Sequence, residues 1–500
     1  MVIQMVFENE KIKEILNYYR KIWALNHASS LMGWDLEVCM PKEGVKERSF
    51  ADGELSMLTH DFITNDKFVE MVEKADALED LNEYERGVIR VLKRDIKHAK
   101  AIPREIIGEL SRVTGEATMA WREAREKNNY EKFRPYLDKI IDLERKIADY
   151  LGYEEHPYDA LTDLYEEGYT VRDYDKFFGE IEKPLKTLLD KIIEKWPKEH
   201  PLEEKSYNKD MLKKVNFEIL KLFGYPLETR ARMDVSAHPF TIGIGIGDVR
   251  ITTRYEGFDF KRSLLAVVHE FGHALYELQV DSRFSMTPLV HGVSSGIHES
   301  QSRFWENIIG RSREFVNAIY PKLHEHLDIV KDYSPEDIYI YFNTVKPSLI
   351  RVEADEVTYN MHILLRYNLE KLMISGEIST KDLPEFWNEK MEEYLGIRPK
   401  DYKDGVLQDI HWSGGQIGYF PTYSLGTVLA TQIGAYVKRE IPDFYEKIEK
   451  GEFKAIREYL RDKVHRYGKM YPPKELLKRI FGEEVNPKYF LEYLEKKYLL

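Results

Sequence analysis

Apolar residues recur every three or four positions along most of the chain, which is the spacing of one face of an α-helix. The first long example, residues 10–35, is EKIKEILNYYRKIWALNHASSLMGWD. The same spacing predicts further helices over 84–97, 135–151, 184–195, 300–320, 357–372 and 452–466. Most prolines, Pro321 among them, fall at the ends of these segments or between them, as helix-ending residues do.

One segment departs from the helical pattern. Residues 238–255, HPFTIGIGIGDVRITTRY, alternate and are rich in β-branched side chains, which predicts a hairpin or a small sheet. Gly243, Gly245 and Gly247 loosely match a dinucleotide-binding fingerprint, but that fingerprint needs a helix directly after its glycines. Because more strand follows here, the glycines indicate instead that another backbone passes close to the strand.

The 500 residues contain no glycine-serine linker, low-complexity tract or obvious repeat. We therefore expect a mainly α fold, with one large helical domain over residues 1–500 that two lobes could divide, and a small β-sheet. Hydrophobic residues make up 43% of the chain and charged residues 32%, as in soluble globular proteins.

Charge and cysteine usage exclude several functions. The net charge is −13, and Lys and Arg are interspersed with Glu and Asp, so nucleic acid is a poor partner. No run of about 18 apolar residues predicts a membrane span. The N-terminus turns acidic and amphipathic within ten residues, unlike a secretory signal. The one cysteine, Cys39, cannot form an internal disulfide, and its apolar neighbours predict a buried thiol, so we expect a cytoplasmic protein.

Residues 267–277, VVHEFGHALYE, carry the strongest chemical signal. His269 and His273 are four residues apart, so on a helix they lie on one face and can bind one Zn²⁺ together. Glu270 lies beside them and can act on the water that the metal activates. Gly272 lowers helix stability by roughly 1 kcal/mol relative to Ala, which is tolerable whether or not another group must approach closely. An apolar stripe at helical spacing anchors this helix in the core: Leu264, Val268, Phe271, Leu275 and Leu278.

A third ligand would strengthen the metal hypothesis, because the pattern HExxH also occurs by chance. One class of zinc peptidases uses a histidine six residues after the second one, but Gln279 occupies that position. Another class uses a glutamate from a later helix. Residues 294–309, SSGIHESQSRFWENII, predict such a helix, with Ser294 or Ser295 as N-cap and Glu299 in its first turn. The residues alone leave open whether Glu299 is a ligand or an ordinary solvated glutamate.

Six motifs occur in an order that resembles the carboxypeptidase Taq family (M32) of thermostable zinc carboxypeptidases. They are HPF at 238–240, DVRIT at 248–252, HEFGH at 269–273, HESQ at 298–301, IRVEAD at 350–355 and GVLQDIHW at 405–412. The resemblance extends over nearly the whole chain, with further similar stretches such as LMGWDLEVCMP near the start and GYFPTYSLG at 418–426.

The resemblance implies a saddle-like helical fold with a deep groove, a small β-sheet beside the groove, and a homodimer. It also implies metal-dependent release of single amino acids, with broad specificity, from peptides with a free C-terminus. Zn²⁺ is the implied metal, and Co²⁺ is expected to be able to replace it. Carried over by motif, His269, His273 and Glu299 are the metal ligands and Glu270 is the general base and acid.

Two arginines are candidates for binding the α-carboxylate of the substrate, because a guanidinium group matches a carboxylate in geometry. Arg351 of the IRVEAD motif is the first choice, and Arg250 of the DVRIT motif is the second. Each could instead form a salt bridge with a neighbour in sequence, Asp355 for Arg351 and Asp248 for Arg250.

The carbonyl oxygen that gains charge during hydrolysis needs a hydrogen-bond donor besides the metal. Tyr419, Tyr423 and His411 are candidates, although aromatic residues beside glycine and proline are more often packing or loop residues. His238, which precedes a proline, either lines the groove or makes a local hydrogen bond.

Three hypotheses follow. The first is a zinc carboxypeptidase, and the second is a zinc oligopeptidase or dipeptidase-type endopeptidase of a related helical fold. The third is a helical binding or scaffold protein with a structural metal or none. A structural zinc site usually has four protein ligands, often cysteines, so the single cysteine argues against that version.

Overall fold

The computed structural model describes residues 6–500, and most of them are helical. Residues 300–320, predicted as one helix, comprise the end of one α-helix, a π-helical segment (Phe304–Gly310) and part of another. The other predicted helical segments are confirmed. Their bounds differ by up to five residues, except that the helix predicted over 184–195 begins 13 residues earlier, at Val171. Twenty α-helices lie within the described range: α1 (Glu10–Val38), α2 (Val45–Ile63), α3 (Asp66–Asp76), α4 (Glu83–Ala101), α5 (Arg104–Glu126), α6 (Tyr130–Leu151), α7 (Pro157–Asp163), α8 (Val171–Lys195), α9 (Lys209–Leu222), α10 (Lys261–Gln279), α11 (Ser295–Arg303), α12 (Arg313–His326), α13 (Pro335–Phe342), α14 (Tyr359–Ser375), α15 (Leu383–Leu395), α16 (Pro421–Glu440), α17 (Phe444–Glu449), α18 (Lys454–Lys463), α19 (Pro473–Phe481) and α20 (Lys488–Tyr498).

Pro321 lies inside α12, which corrects the expectation that it would end a helix. A proline inside a helix removes one backbone hydrogen bond. Phe315, Ile319 and Leu323 form one face of α12 and are completely buried. This packing stabilises the helix across the proline.

The predicted β segment forms β2 (Thr241–Gly245) and β3 (Asp248–Thr253), which pair antiparallel. The third strand, β1 (Ala231–Val235), is absent from the sequence-based prediction, although its five residues, ARMDV, alternate between apolar and polar. β1 pairs parallel with β3, so the strand order is β1-β3-β2 and β2 is an edge strand. Thr241 Oγ1 lies 3.0 Å from the carbonyl oxygen of Glu270, so β2 lies directly against α10.

The core consists of two hydrophobic clusters. One contains the buried faces of α4, α9 to α13 and the sheet, and the other contains those of α6 to α8, α14 and α15. Helix α16 contributes to both, since Leu425 and Val428 pack in the second cluster while Leu429 and Ile433 pack in the first. Helix α16 therefore connects the two clusters.

Cys39 is the C-cap residue of α1, and its thiol is exposed, so the prediction of a buried thiol is wrong. The apolar run around it is not a core segment, because Leu36 is also 41% exposed. Within residues 6–500, no helix combines the length and the apolar character that crossing a bilayer requires.

Candidate metal centre

Helix α10 directs an apolar stripe to the core and two histidines to the other side. His269 and His273 lie one turn apart, and Glu299 of α11 faces both. Glu299 Oε2 is 3.7 Å from His269 Nε2 and 3.3 Å from His273 Nε2. One donor atom from each of these three residues lies within 4.8 Å of the other two. The stripe is buried as predicted: Leu264, Val268, Phe271, Leu275 and Leu278.

Helix α11 begins where the sequence indicates. The Ser294 hydroxyl caps the helix by accepting a hydrogen bond from the backbone N–H of Ile297 at 3.2 Å. Glu299 is the fifth residue of the helix, so it lies at the start of the second turn and just beyond the predicted first turn. It is only 4% exposed, so it is not the solvated glutamate that the sequence alone allowed.

Two glycines bring α11 between its neighbours. A Cβ on Gly272 of α10 would lie 2.5 Å from Gln301 O and from Ser302 Cα, both backbone atoms of α11. A Cβ on Gly426 of α16 would lie 2.5 Å from Glu299 Cβ. The helices therefore cross at distances that only glycine permits. Gly272 is present because the backbone of α11 approaches it.

A buried arginine and a buried carboxylate hold the side chains of this candidate site in place. Arg303 Nε donates to Glu299 Oε1 at 2.7 Å, which leaves Oε2 facing the histidines. Arg303 Nη1 also donates to Glu306 Oε2 at 3.0 Å. Glu306 belongs to the π-helical segment, and its Oε2 lies 2.9 Å from His269 Nδ1. The equivalent nitrogen of His273 contacts another imidazole, since its Nδ1 lies 2.7 Å from His298 Nδ1.

Burial and neighbouring charges shift the pKa values of these groups in opposite directions. Burial lowers the pKa of His273 to about 4, so its imidazole is neutral, the form that binds a metal. Burial also lowers the pKa of His269, but Glu299 and Glu306 outweigh burial and raise it above its usual value. Burial alone would raise the pKa of Glu299, but Arg303 and the two histidines hold it well below its usual range. Glu299 is therefore a carboxylate.

Glu270 is 6% exposed and lies next to the first histidine of the pair. The Thr241 hydroxyl donates to Glu270 Oε2 at 2.6 Å, so the edge strand orients this carboxylate. Burial is the largest cause that raises the pKa of Glu270, and His269 and Thr241 oppose it. A raised pKa makes the carboxylate a stronger base than an exposed glutamate.

The residues present fit a catalytic metal. Two imidazoles and one carboxylate are typical of catalytic zinc sites, in which one coordination position stays open. All three side chains are at least four-fifths buried, and each is held by a further hydrogen bond. Such outer partners are usual for metal ligands.

Arg351 is 5% exposed and binds Asp409, not Asp355. Its Nε donates to Asp409 Oδ1 at 3.0 Å, and its Nη1 donates to the Tyr359 hydroxyl at 3.0 Å. Arg366 Nε donates to the other carboxylate oxygen at 2.6 Å. Asp355 instead accepts hydrogen bonds from three backbone N–H groups nearby. Two buried guanidinium groups thus share a single carboxylate.

Arg250 forms the salt bridge that its neighbour in sequence allowed. Its Nε and Nη2 donate to the two oxygens of Asp248 at 2.8 and 2.7 Å. Its guanidinium carbon lies 4.4 Å from the ring centre of Trp34, which packs it against α1. The His238 side chain is exposed, and its carbonyl oxygen accepts a hydrogen bond from the Ser236 hydroxyl.

His411, Tyr419 and Tyr423 form one aromatic cluster. His411 Nε2 lies 3.3 Å from the Tyr423 hydroxyl, and the two tyrosine rings are 5.0 Å apart. Burial and then Arg351 lower the pKa of His411 to about 3, so its ring is neutral. Burial and then Glu299 raise the pKa of Tyr419 to about 12, so its hydroxyl stays protonated.

The family model described as Carboxypeptidase Taq (M32) metallopeptidase matches residues 14–498. The chain belongs to this family. Thermostable carboxypeptidase 1 of Pyrococcus furiosus is 60% identical over 499 residues, which cover 99% of this chain and 100% of that protein. Carboxypeptidase 1 of Bacillus subtilis is 38% identical over 97% of both chains. A solved structure of Pyrococcus furiosus carboxypeptidase, described as Apo-Mg, has a TM-score of 0.98 over 99% of this chain and 100% of that chain.

Family membership confirms the resemblance seen in the sequence and the mainly α fold. Relatives of the M32 family are named carboxypeptidases, so they support the carboxypeptidase hypothesis and not the endopeptidase alternative. Membership in a metallopeptidase family also argues against a scaffold protein.

Several neighbours of the site are absent from the sequence-based prediction. Arg303 lies four residues after Glu299, so helical spacing could have predicted their contact. Thr241 and Glu306 lie 29 and 37 residues from the side chains that they contact, and no local pattern indicates such pairs.

Proposed function

We propose that the chain is a zinc carboxypeptidase that releases single amino acids, with broad specificity, from peptides with a free C-terminus. The observation that carries the proposal is the meeting of His269, His273 and Glu299 donor atoms within 4.8 Å of one another, next to Glu270. Membership in a metallopeptidase family with carboxypeptidase relatives supports a hydrolase that acts as an exopeptidase.

His269, His273 and Glu299 would hold the metal, and this donor set suits Zn²⁺ and also Co²⁺. When bound, the metal supplies Lewis acidity, which acidifies water and polarises the scissile carbonyl. Arg303 keeps one oxygen of Glu299 turned towards the histidines by binding the other oxygen at 2.7 Å.

Glu270 is the general base and acid of the proposed reaction. Its carboxylate accepts a proton from the attacking water and then donates it to the leaving amine. Burial raises its pKa, which suits a group that must both accept and release a proton. The Thr241 hydroxyl, 2.6 Å from Oε2, keeps the carboxylate in one orientation.

Arg351 is proposed to bind the α-carboxylate of the substrate, because burying that group unpaired would be costly. Arg351 and Arg366 share Asp409, so one buried positive charge has no carboxylate of its own. The Arg351 side chain is 6% exposed and that of Arg366 is fully buried, so Arg351 is the more accessible of the two.

The surplus charge lies close to the proposed metal centre. Tyr359 accepts a hydrogen bond from Arg351 at 3.0 Å, and its ring centre lies 4.4 Å from the guanidinium carbon of Arg303. Arg303 in turn binds the proposed ligand Glu299. Tyr359 thus lies between Arg351, which is proposed to bind the substrate carboxylate, and Arg303, which binds a proposed metal ligand.

Tyr419, Tyr423 and His411 are proposed to line the substrate site and to supply the donor for the carbonyl oxygen. Tyr419 is the first choice, because its hydroxyl stays protonated and Glu299 is close enough to raise its pKa. His411 is neutral and contacts Tyr423, so it fits a role in orienting that hydroxyl. Arg250 and the exposed His238 are proposed to border the groove.

The decisive test compares matched peptides that end in a free acid or in an amide. Amidation removes the charge that Arg351 binds, so release should be slower. The transition-state free energy should rise by roughly 2–5 kcal/mol. Arg351→Ala should lose most of the preference for the acid, while Arg250→Ala is the matched control that keeps it. Mass spectrometry measures the rate at which each peptide releases its product. Equal rates on acid and amide in the parent protein would contradict a carboxypeptidase.

The metal and base roles separate by phenotype. Glu270→Gln keeps the shape of the side chain but cannot accept a proton, so it should retain zinc and lose most turnover. Glu299→Ala removes a ligand, so it should also lose zinc affinity. A Glu299→Ala protein that binds zinc as tightly as the parent would remove Glu299 from the ligand set.

Assembly and location complete the proposal. The family resemblance supports a homodimer, and the two hydrophobic clusters fit two lobes of one domain. A single cysteine in 500 residues fits a reducing compartment, so the cytoplasm stays the proposed location.

A further inference from the structure

The histidine row on α10 continues into a carboxylate that the proposed reaction does not use. His269, His273 and Glu277 are spaced by four residues, so they lie in one row along the helix. The Glu277 side chain is 8% exposed. A buried carboxylate needs hydrogen-bond partners, and the partners of Glu277 lead back to the metal centre.

An imidazole connects Glu277 with the proposed ligand His273. His298 Nδ1 lies 2.7 Å from His273 Nδ1, and His298 Nε2 lies 2.9 Å from Glu277 Oε1. Where two imidazole nitrogens meet, one must donate and the other must accept. With His273 Nε2 directed to a metal, its Nδ1 carries the proton and donates to His298. His298 then donates from Nε2 to the Glu277 carboxylate, and every contact is satisfied.

The surroundings hold Glu277 and His298 tightly. Glu277 Oε2 lies 2.6 Å from His291 Nδ1, and the backbone N–H of Gly292 donates to Oε1 at 3.0 Å. His291 has a φ of 81°, a left-handed conformation that is unfavourable for a histidine. A Cβ on Gly243 would lie 2.7 Å from Glu277 Oε2, and one on Gly292 would lie 2.6 Å from His298 Cδ2. Strand β2 and the loop before α11 therefore close around this pair.

The two proposed histidine ligands thus have different outer partners. His269 contacts the carboxylate of Glu306 directly, at 2.9 Å. His273 contacts an imidazole, and the carboxylate of Glu277 lies one step further away. Removing His298 would leave His273 Nδ1 without the acceptor that defines the rotation of its ring.

We propose that His298 and Glu277 are positioning residues for His273, which they hold in the tautomer and rotation that leave Nε2 free for the metal. They thereby set the affinity of the site for Zn²⁺. This inference rests on the proposed metal role of His273. Outer partners of histidine ligands typically change metal affinity by about 10- to 100-fold.

Paired variants at each position test the inference through Zn²⁺ affinity, measured by competition with a chromophoric chelator. His298→Phe keeps a ring but removes the acceptor, so we expect about 10- to 100-fold weaker binding. His298→Asn places an amide oxygen near the position of Nδ1 and should recover most of the affinity. Glu277→Met removes the acceptor for His298 and should weaken binding, while Glu277→Gln keeps an acceptor and should stay near the parent.

A histidine outside the network supplies the matched control. His326 Nε2 of α12 lies 3.1 Å from Glu218 of α9, a contact that involves no residue of the network, so His326→Phe should leave Zn²⁺ affinity unchanged. Circular dichroism of the metal-free proteins shows which variants are folded. If His298→Phe does not fold, the comparison of Glu277→Met with Glu277→Gln decides.

The variant His273→Ala distinguishes a failure of this inference from a failure of the proposed metal site. A folded His298→Phe or Glu277→Met protein with the Zn²⁺ affinity of the parent would overturn the positioning role. If His273→Ala also keeps the parental affinity, the proposed metal site itself is wrong. If His273→Ala loses zinc while the other variants keep it, only the inference about His298 and Glu277 fails.

Discussion

Replacing Gly272 by alanine tests whether the close approach of α10 and α11 determines the metal centre. The new Cβ would lie 2.5 Å from Gln301 O and from Ser302 Cα. Ordinary contact begins at 3.4 Å, so the two helices would have to separate by the difference, about 0.9 Å. The contacted atoms belong to the backbone of α11, so no side chain can rotate to make room.

Helix α11 cannot retreat freely, because α16 lies against it at Gly426. A Cβ at that glycine would lie 2.5 Å from Glu299 Cβ, so α16 and α11 are already as close as glycine permits. A shift of about 0.9 Å is several times the tolerance of about 0.2 Å in metal–ligand distances. We therefore expect Glu299 to leave its position relative to the histidines.

Two opposing effects decide the change in stability. Overpacking costs about 1–3 kcal/mol. We expect a cost of about 3 kcal/mol, because α11 is confined between α10 and α16. Alanine gains about 1 kcal/mol over glycine in a helix. We expect the metal-free Gly272→Ala protein to lose about 2 kcal/mol of unfolding free energy, and its Zn²⁺ affinity to fall about tenfold or more, equivalent to about 1.4 kcal/mol.

Denaturant unfolding of the metal-free proteins and zinc competition with a chelator measure the two effects separately. Gly179→Ala in α8 is the matched control, because no atom lies within 4 Å of its new Cβ. It should raise stability by up to about 1 kcal/mol and leave zinc affinity unchanged. If Gly272→Ala behaves like Gly179→Ala in both assays, the crossing of α10 and α11 does not determine the site.

Three further changes test other parts of the structure. Thr241→Val removes the hydroxyl that donates to Glu270, so kcat should fall about 10- to 100-fold with bound zinc unchanged. Thr241→Ser should recover most of the lost kcat. Equal kcat values in the parent and in both Thr241 variants would contradict the proposal that Thr241 orients Glu270. Stripping the metal should abolish peptide hydrolysis, and Zn²⁺ or Co²⁺ should restore it. Full activity in a sample shown to be metal-free by elemental analysis would refute the metal requirement. Burial, with Glu370 nearby, raises the pKa of Glu144 from 4.5 to about 8. The folded protein thus favours the protonated acid, and the resulting stability is lost as the pH rises from 4.5 through 8. Glu144→Gln stays neutral, so over this range it should lose less stability than the parent, by up to about 1.4 kcal/mol per pH unit. If the unfolding free energies of the parent and of Glu144→Gln change equally with pH, the Glu144 carboxyl does not cause the pH dependence.

The sequence predicts most of the fold and the elements that carry the proposed metal site, because their signals are local. A spacing of four residues places His269 and His273 on one face of α10, and Ser294 marks the start of α11. The helices follow from the same short-range periodicity. Pro321 shows the limit of such signals, since packing over the face that Phe315 and Leu323 share outweighs a residue that usually ends a helix.

Contacts between distant segments carry no such signal. Arg351 and Asp409 are 58 residues apart, so the sequence offered Asp355 as a partner only because it is near in the chain. His269 and Glu306 are 37 residues apart, and their contact also depends on the π-helical segment. A pattern of spacing within one element cannot show how two elements cross.

The glycines show most directly why the site itself could not be derived from the sequence. In the sequence Gly272 and Gly243 look alike, since each is a glycine inside a helix or a strand. The structure distinguishes them by what lies opposite. Gly272 faces the backbone of α11, whereas Gly243 faces the carboxylate of Glu277 and not the second backbone that the alternating glycines indicate. Gly272 therefore sets the distance between two helices that carry proposed metal ligands, while Gly243 makes room for a carboxylate that acts through His298. Substitution of either should weaken metal binding, but only Gly272→Ala has to move α11, so only that change should also displace Glu299.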